Sequence, residues 1–273
     1  FSGAADYSAV YDEDGVSVCG SDVYFSDGRP LDTDRVTNYL DTLSGLTLTD
    51  YVTYNATAEE LLAYGLEMPE LSVTVRYAGE DGDESFTVHL GRDQAELQAA
   101  EETGDYEAVT AYLRVGDSRI VYQISQEDYE TLAAASYDDL RHQKLFTASL
   151  SQVTELTVTL EGETYTLTHA LPESEDEDGK WYYQGEEFDG TDLENAVNSL
   201  RATDFTDRTA SGREEIRLTA KLDREDIPSL SLTLTRYDGD HCLAALDGET
   251  VAYVKRSQAV DLIEAIHAVV LTG

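Results

Sequence analysis

Two stretches decide the fold of this chain: Asp34-Arg-Val-Thr-Asn-Tyr-Leu-Asp-Thr-Leu43 and Asp192-Leu-Glu-Asn-Ala-Val-Asn-Ser-Leu200. Each has the apolar spacing of a short helix, and each opens a region of alternating strands. Downstream, Leu71-Ser-Val-Thr-Val75 matches Leu230-Ser-Leu-Thr-Leu234, and Arg-Tyr follows both, as Arg76-Tyr77 and Arg236-Tyr237. Residues 32–140 and 190–267 therefore read as two passes over one pattern: a helix, a β-meander and a closing helix. The expected fold is α+β, in two similar units (1–150 and 151–273), each an antiparallel meander sheet with helices packed on one face.

Working outward from the first stretch, residues 7–25 alternate around Asp14-Gly15 and Gly20, which predicts a hairpin. The helix after Asp32 places Val36, Leu40 and Leu43 on one face and stops at Ser44-Gly45. Thr57-Ala-Glu-Glu60 has the form of a capping box, in which hydroxyl and carboxylate satisfy orphan amides reciprocally. That helix should end at Tyr64-Gly65-Leu66, with Gly65 left-handed, and Pro69 forbids continuation. A meander follows at 71–77, 85–90, 110–115 and 119–124, and Ser125 caps a helix carrying Tyr129, Leu132 and Ala133. Residues 92–108 read either as a short surface helix or as a mobile insertion.

The second unit opens with a hairpin, 153–160 and 163–169, around Glu161-Gly162. An acidic loop, 173–179, leads to the strand Lys180-Trp-Tyr-Tyr183. Strands near 214–222, 230–237, 241–246 and 250–255 follow the helix, with Asp238-Gly239 and Asp247-Gly248 as tight turns. A final helix, 257–271, presents Ala259, Ile263, Ile266 and Val270.

Composition narrows the function. The chain carries 18 Lys/Arg against 56 Asp/Glu, a formal charge of −38, with 30 of the acids in 1–150. Such a surface repels phosphate backbones and anionic headgroups, so neither nucleic acid nor direct anionic-lipid binding is expected. A hydrophobic content of 41 % and 18 tyrosines supply enough apolar surface for folding. The acidity reads as a solubility adaptation to a salty or divalent-rich exterior, with a dedicated cation store as the alternative. No segment reaches the roughly 18 apolar residues of a membrane-crossing helix. The chain opens at Phe1 rather than Met, and a signal or membrane anchor is expected upstream. Cys19 and Cys242 either form one disulfide or remain buried thiols.

No catalytic signature stands out. In the acidic loop, Asp176 and Asp178 fall on ligand positions of a calcium-binding loop, but Ser174 and Gly185 occupy two others, so the loop reads as solvated. No resident metal or cofactor is expected. His89, His142, His169, His241 and His267 lack metal-ligand spacing. There is no Gly-x-Ser-x-Gly and no Gly-rich phosphate loop. Glycoside hydrolysis needs only two suitably spaced carboxylates, so an acidic chain gives it no distinguishing signal. Trp181-Tyr182-Tyr183 could stack on sugars, but an alternating strand turns one face of such a triplet into the core.

The order of these pieces resembles the domain of unknown function 4340 family. Three places carry the likeness: Ala63-Tyr-Gly-Leu-Glu-Met-Pro69 before Leu-Ser-Val-Thr-Val, Asp139-Leu-Arg-His-Gln-Lys-Leu-Phe146 before Val153-Thr-Glu-Leu-Thr-Val158, and Trp181 before the second helix. The second unit lacks the Tyr-Gly-Leu tripeptide and has only Asp226-Ile227-Pro228 before its strand. The resemblance implies an extracytoplasmic protein with an N-terminal membrane anchor, often associated with ABC-type export permeases and gliding-motility-like auxiliary components. It brings no catalytic residues. The expected function is thus a non-enzymatic, membrane-tethered accessory or binding domain beside an ABC-type transporter, with a permease as partner. A free-standing module for cell-envelope polymer or carbohydrate is the alternative, and a carboxylate-dependent hydrolase ranks behind both.

Overall fold

The computed structural model describes all residues except 4–5, 18–21, 49, 80–81, 173–178 and 272–273. Packing divides the chain into two compact units: Phe1–Gly15 with Val23–Arg141, and Val16–Asp22 with His142–Gly273. The stretch 142–150, placed in the first unit on sequence grounds, packs in the second. Leu145, Phe146 and Leu150 lie in the second core, and the Leu145 amide donates to Leu200 O at 3.2 Å. The early excursion is fastened within the second unit as well. The Asp22 carboxylate, 3 % exposed, meets His142 Nε2 at 2.9 Å and accepts from the Ser17 hydroxyl, while Arg224 donates to Ser17 O at 2.6 Å.

The first unit comprises β1 (Ser2–Gly3), β2 (Val10–Tyr11), β3 (Tyr24–Ser26), β4 (Arg29–Pro30), α1 (Thr33–Gly45), β5 (Tyr51–Thr53), α2 (Ala58–Ala63), β6 (Leu71–Gly79), β7 (Gly82–Arg92), α3 (Gln94–Thr103), β8 (Ala111–Val115), β9 (Val121–Ile124), α4 (Gln126–Ala133) and α5 (Tyr137–Leu140). Among the described residues, one antiparallel sheet runs β1-β6-β7-β8-β9-β5 and a small one runs β2-β3-β4. The anticipated hairpin in 7–25 exists as the β2–β3 pair, Val10 opposite Phe25. The tight turn lies instead at Asp27-Gly28, both at positive φ, and Gly20 falls outside the described residues.

Helix α1 starts where the Asp32 carboxylate accepts from the Arg35 amide at 3.2 Å. It buries Val36, Tyr39 and Leu43, so Tyr39 takes the central place that periodicity gave to Leu40. A buried tyrosine needs a partner for its hydroxyl, and Tyr39 donates to Leu132 O on α4 at 2.8 Å. Both helices cover the face carrying Leu71, Val73, Val88, Leu90 and Leu113. A smaller cluster lies on the other face, where Leu61 and Leu66 meet Tyr112 and Val121.

That second cluster is built by the Tyr-Gly-Leu stretch. Thr57 and Glu60 form the reciprocal capping box. At the far end, the Leu66 amide donates to Leu61 O at 2.8 Å and the Gly65 amide to Leu62 O at 3.1 Å. These two bonds are a Schellman stop, with Gly65 at φ +68. A Cβ on Gly91 of β7 would lie 2.6 Å from the carbonyls of Tyr64 and Gly65, so backbone packs on backbone there. Residues 94–103 resolve the reading of the 92–108 region: α3 forms, capped by the Asp93 carboxylate at 3.0 Å.

The second unit comprises β10 (Val153–Leu160), β11 (Glu163–Ala170), β12 (Lys180–Tyr183), β13 (Glu186–Phe188), α6 (Thr191–Ser199), β14 (Asp204–Phe205), β15 (Glu214–Leu222), β16 (Ser229–Arg236), β17 (His241–Leu246), β18 (Glu249–Lys255) and α7 (Arg256–Val270). Its described strands form one antiparallel sheet, β13-β12-β11-β10-β15-β16-β17-β18-β14. Alternate residues of the central strands, such as Leu156, Val158, Leu218, Leu232 and Val254, face α6 and α7 in one core. On α7 the buried face is Ala259, Leu262, Ala265 and Ile266, while Ile263 and Val270 sit half-buried at its margin. Asp247-Gly248 is a tight turn with both residues at positive φ. The Asp238 turn is longer, closed by a carboxylate that accepts from the Asp240 and His241 amides at 2.8 and 2.7 Å.

The two units share an element order, but its register is one strand off the sequence match. In each unit a helix (α1, α6) precedes a short strand (β5, β14), then four meander strands, then a helix (α4, α7). The short strand pairs with the last meander strand in both, and a strand from before the helix, β1 or β10, pairs with the first. This order sets β6 against β15 and β7 against β16, whereas the Leu71–Val75 and Leu230–Leu234 likeness sets β6 against β16. Asp226-Ile227-Pro228 lies before β16, as read from sequence, and follows β15.

Candidate functional site

The second unit contains a cleft of about 850 Å³ where β11, β12 and β13 approach the start of α6. Its size falls in the range of small-molecule sites, roughly 300–1,000 Å³. Strand register builds its floor: His169 and Trp181 are directly opposite on β11 and β12, and their rings stack at 4.4 Å and 17°. Both are buried, His169 to 7 % exposure and Trp181 to 2 %. A Cβ on Gly179 would run into His169 Nε2, and one on Gly190 into the Trp181 ring, so at both positions glycine lets the backbone pack directly against the floor.

Hydrogen bonds fix each floor residue. The Nδ1 of His169 lies 2.9 Å from Val153 O. A carbonyl only accepts, so Nδ1 carries a proton, and in the neutral ring Nε2 is then the nitrogen with the lone pair. The indole N–H of Trp181 donates to Glu194 Oε1 at 2.7 Å, one turn into α6. At the rim, Asp189 accepts from the Thr191 hydroxyl at 2.6 Å and amide at 3.0 Å, and these bonds hold its carboxyl below the usual range. Lys180 donates to Glu187 at 3.2 Å, an exposed pair that raises the lysine.

The residues singled out by sequence meet different fates. Trp181 packs in the core, as its strand position implied. Asp176 and Asp178 lie outside the described residues, as does Cys19, so the acidic loop and the Cys19–Cys242 pairing receive no structural description. Cys242 is a buried thiol pushed up to about 11, chiefly by burial and then by Glu215. The five histidines do not converge: His89 contacts Ser72, His142 contacts Asp22 and His241 contacts Asp238. No group of three or more His, Cys, Asp or Glu that could hold a metal occurs among the described residues. No helix among them is long and apolar enough to cross a membrane. Sequence reading treated His169 as isolated and did not weigh Glu194. The signal lay in pairing: once β11 is set against β12, His169 meets the tryptophan.

A family model described as Domain of unknown function (DUF4340) matches residues 26–221. This chain belongs to that family. The DUF4340 match contains His169, Trp181 and Glu194 and stops within β15, so β16 to β18 and α7 lie beyond it. No curated protein and no solved structure matches the chain. The stretches that carried the DUF4340 resemblance have structural roles here. Gly65 and Leu66 end a helix, and in Asp139–Phe146 the side chains of Leu140 and Phe146 are buried.

Proposed function

We propose that this protein is a non-enzymatic binding domain that serves, tethered to a membrane outside the cytoplasm, as an accessory to an ABC-type transporter. The observation that carries the binding half of this reading is the internal bonding of the cleft. The Trp181 N–H is committed to Glu194 and the Thr191 hydroxyl to Asp189, a geometry that suits a preformed receptor. Hydroxyl activation needs a competent base. Asp189 is a poor one, because its carboxyl is held low. The transporter half rests on family resemblance, and one feature suits it. The β6–β7 hairpin continues past Val73 and Val88 as an exposed arm bearing Tyr77 and Phe86, 46 % and 38 % accessible, the kind of aromatic pair that anchors a protein interface.

The test is quantitative mass spectrometry of proteins that co-purify with the tagged full-length form from native membranes. Enrichment of permease and ATPase subunits over an unrelated anchored control is the expected result. Recovery in the soluble fraction without them would overturn the accessory role. A second reading, a module for envelope carbohydrate, is favoured by one patch. Tyr51 and Tyr54 stack at 4.8 Å with Tyr54 67 % exposed, and Tyr122 lies 5.1 Å from Tyr51. Glycan-array binding lost on Tyr54→Ala would move the assignment there.

A further inference from the structure

We propose that the cleft of the second unit binds a small organic cation, an ammonium-bearing molecule with an apolar body, through His169, Glu194 and Asp189. The proposal rests on reading this cleft as a receptor, and it adds the chemistry of what is received.

The lining is rich in unused acceptors and poor in unused donors. Trp181 gives its N–H to Glu194, Thr191 gives both hydroxyl and amide to Asp189, and Lys180 is paired with Glu187. What remains among the described side chains is chiefly acceptor capacity, beside the further N–H groups of Lys180 at the exposed rim. One oxygen of Glu194 and one of Asp189 have no hydrogen-bond partner among the described residues. His169 Nε2 has none either, though the ring is 7 % exposed and lines the cleft. An imidazole nitrogen of a buried ring that opens on a cavity is placed to take a donor from a ligand. Three carboxylates, Glu187, Asp189 and Glu194, against one lysine give the lining an excess of negative charge. The start of α6 carries the partial positive charge of a helix N-terminus, but Asp189, Asp192 and Glu194 already sit on it. Phe188, Pro172 and Leu150 supply apolar wall for the body of the molecule. Among the described lining residues an anion finds one cation, Lys180, already paired with Glu187, against three carboxylates, whereas an ammonium donates to three acceptors and meets opposite charge.

The chain contains a single tryptophan, and it is Trp181 in the cleft floor. Its fluorescence reports occupancy without a label. Titration of the full chain with benzylamine should give a saturable change, with benzyl alcohol, the same body without the charge, at least about tenfold weaker, a gap near 1.4 kcal/mol. Glu194→Gln keeps an oxygen for the indole N–H and should weaken benzylamine by several fold, as should Asp189→Asn at the exposed rim. Circular dichroism establishes that each variant is folded. Gly179→Val, whose Cβ would collide with Nε2 and displace the ring, should abolish the response. Equal responses to amine and alcohol, no saturable response at all, or benzylamine binding unaffected in both carboxylate variants would overturn the assignment. Any of these beside intact co-purification would leave the accessory role standing. A new mass for the probe after incubation would instead remove the receptor reading itself.

Discussion

Gly65 illustrates how much a single backbone position can decide. Its left-handed conformation closes α2, and its carbonyl lies against Gly91 on the neighbouring strand. An L side chain there loses about 1–2 kcal/mol from conformation alone, and a Cβ would also sit 2.8 Å from Arg92 O. Gly65→Ala should therefore lower unfolding free energy by at least that amount in urea denaturation, without altering the cleft fluorescence of the second unit. His89 makes a smaller, pH-dependent contribution. Burial, and then the charge of Arg114, lower its pKa. As pH falls below about 6.5 the unfolded chain takes up the proton before the folded one. Stability attributable to His89 is present above that pH and is lost on acidification, so His89→Gln should lose less stability than the parent between about pH 7 and 5. Both positions were visible in the sequence to different degrees. The glycine stop was legible because capping is local, whereas the environment of His89 depends on Arg114, its partner across the β7–β8 ladder.

At the scale of elements, local rules located the main helices and the long strands but not the two- and three-residue strands β1, β4, β5, β13 and β14. Within helices, failures arose where neighbours chose between adjacent apolar positions. Periodicity cannot say whether Leu262 or Ile263 points inward, because both belong to one broad apolar stripe. The sheet beneath α7 selects Leu262, which is fully buried, and leaves Ile263 at the margin. Leu262→Ala should cost about 2–5 kcal/mol, and Ile263→Ala clearly less, roughly half or under, by chemical denaturation. The strand offset of the repeat has a related origin. Leu-Ser-Val-Thr-Val and Leu-Ser-Leu-Thr-Leu are alike because both are half-buried antiparallel strands, a likeness any two such strands share. Only the pairings of β5 with β9 and β14 with β18 set the true correspondence. The cleft was hidden for the same reason: His169 and Trp181 are twelve positions apart in sequence and adjacent only through β11–β12 register.

Across the whole molecule, charge and chain path matter more than any element. A formal charge of −38 on 273 residues makes the folded state repel itself. Salt screens that repulsion. The melting temperature should rise as sodium chloride goes from about 10 mM toward 300 mM, a range over which the screening length falls well below the molecular diameter; a flat or falling curve would show that attractive pairs dominate. Chain path has a different outcome. Because Val16–Asp22 belongs to the second unit while the residues on either side belong to the first, a polypeptide beginning at His142 would lack a piece of its own unit. Its His142 and Arg224 would face the places left by Asp22 and the Ser17 carbonyl. A chain nicked after Arg141 would keep every piece. The N-terminal fragment would still supply Val16–Asp22 to the second unit, so the two fragments would migrate as one species until a denaturant released them.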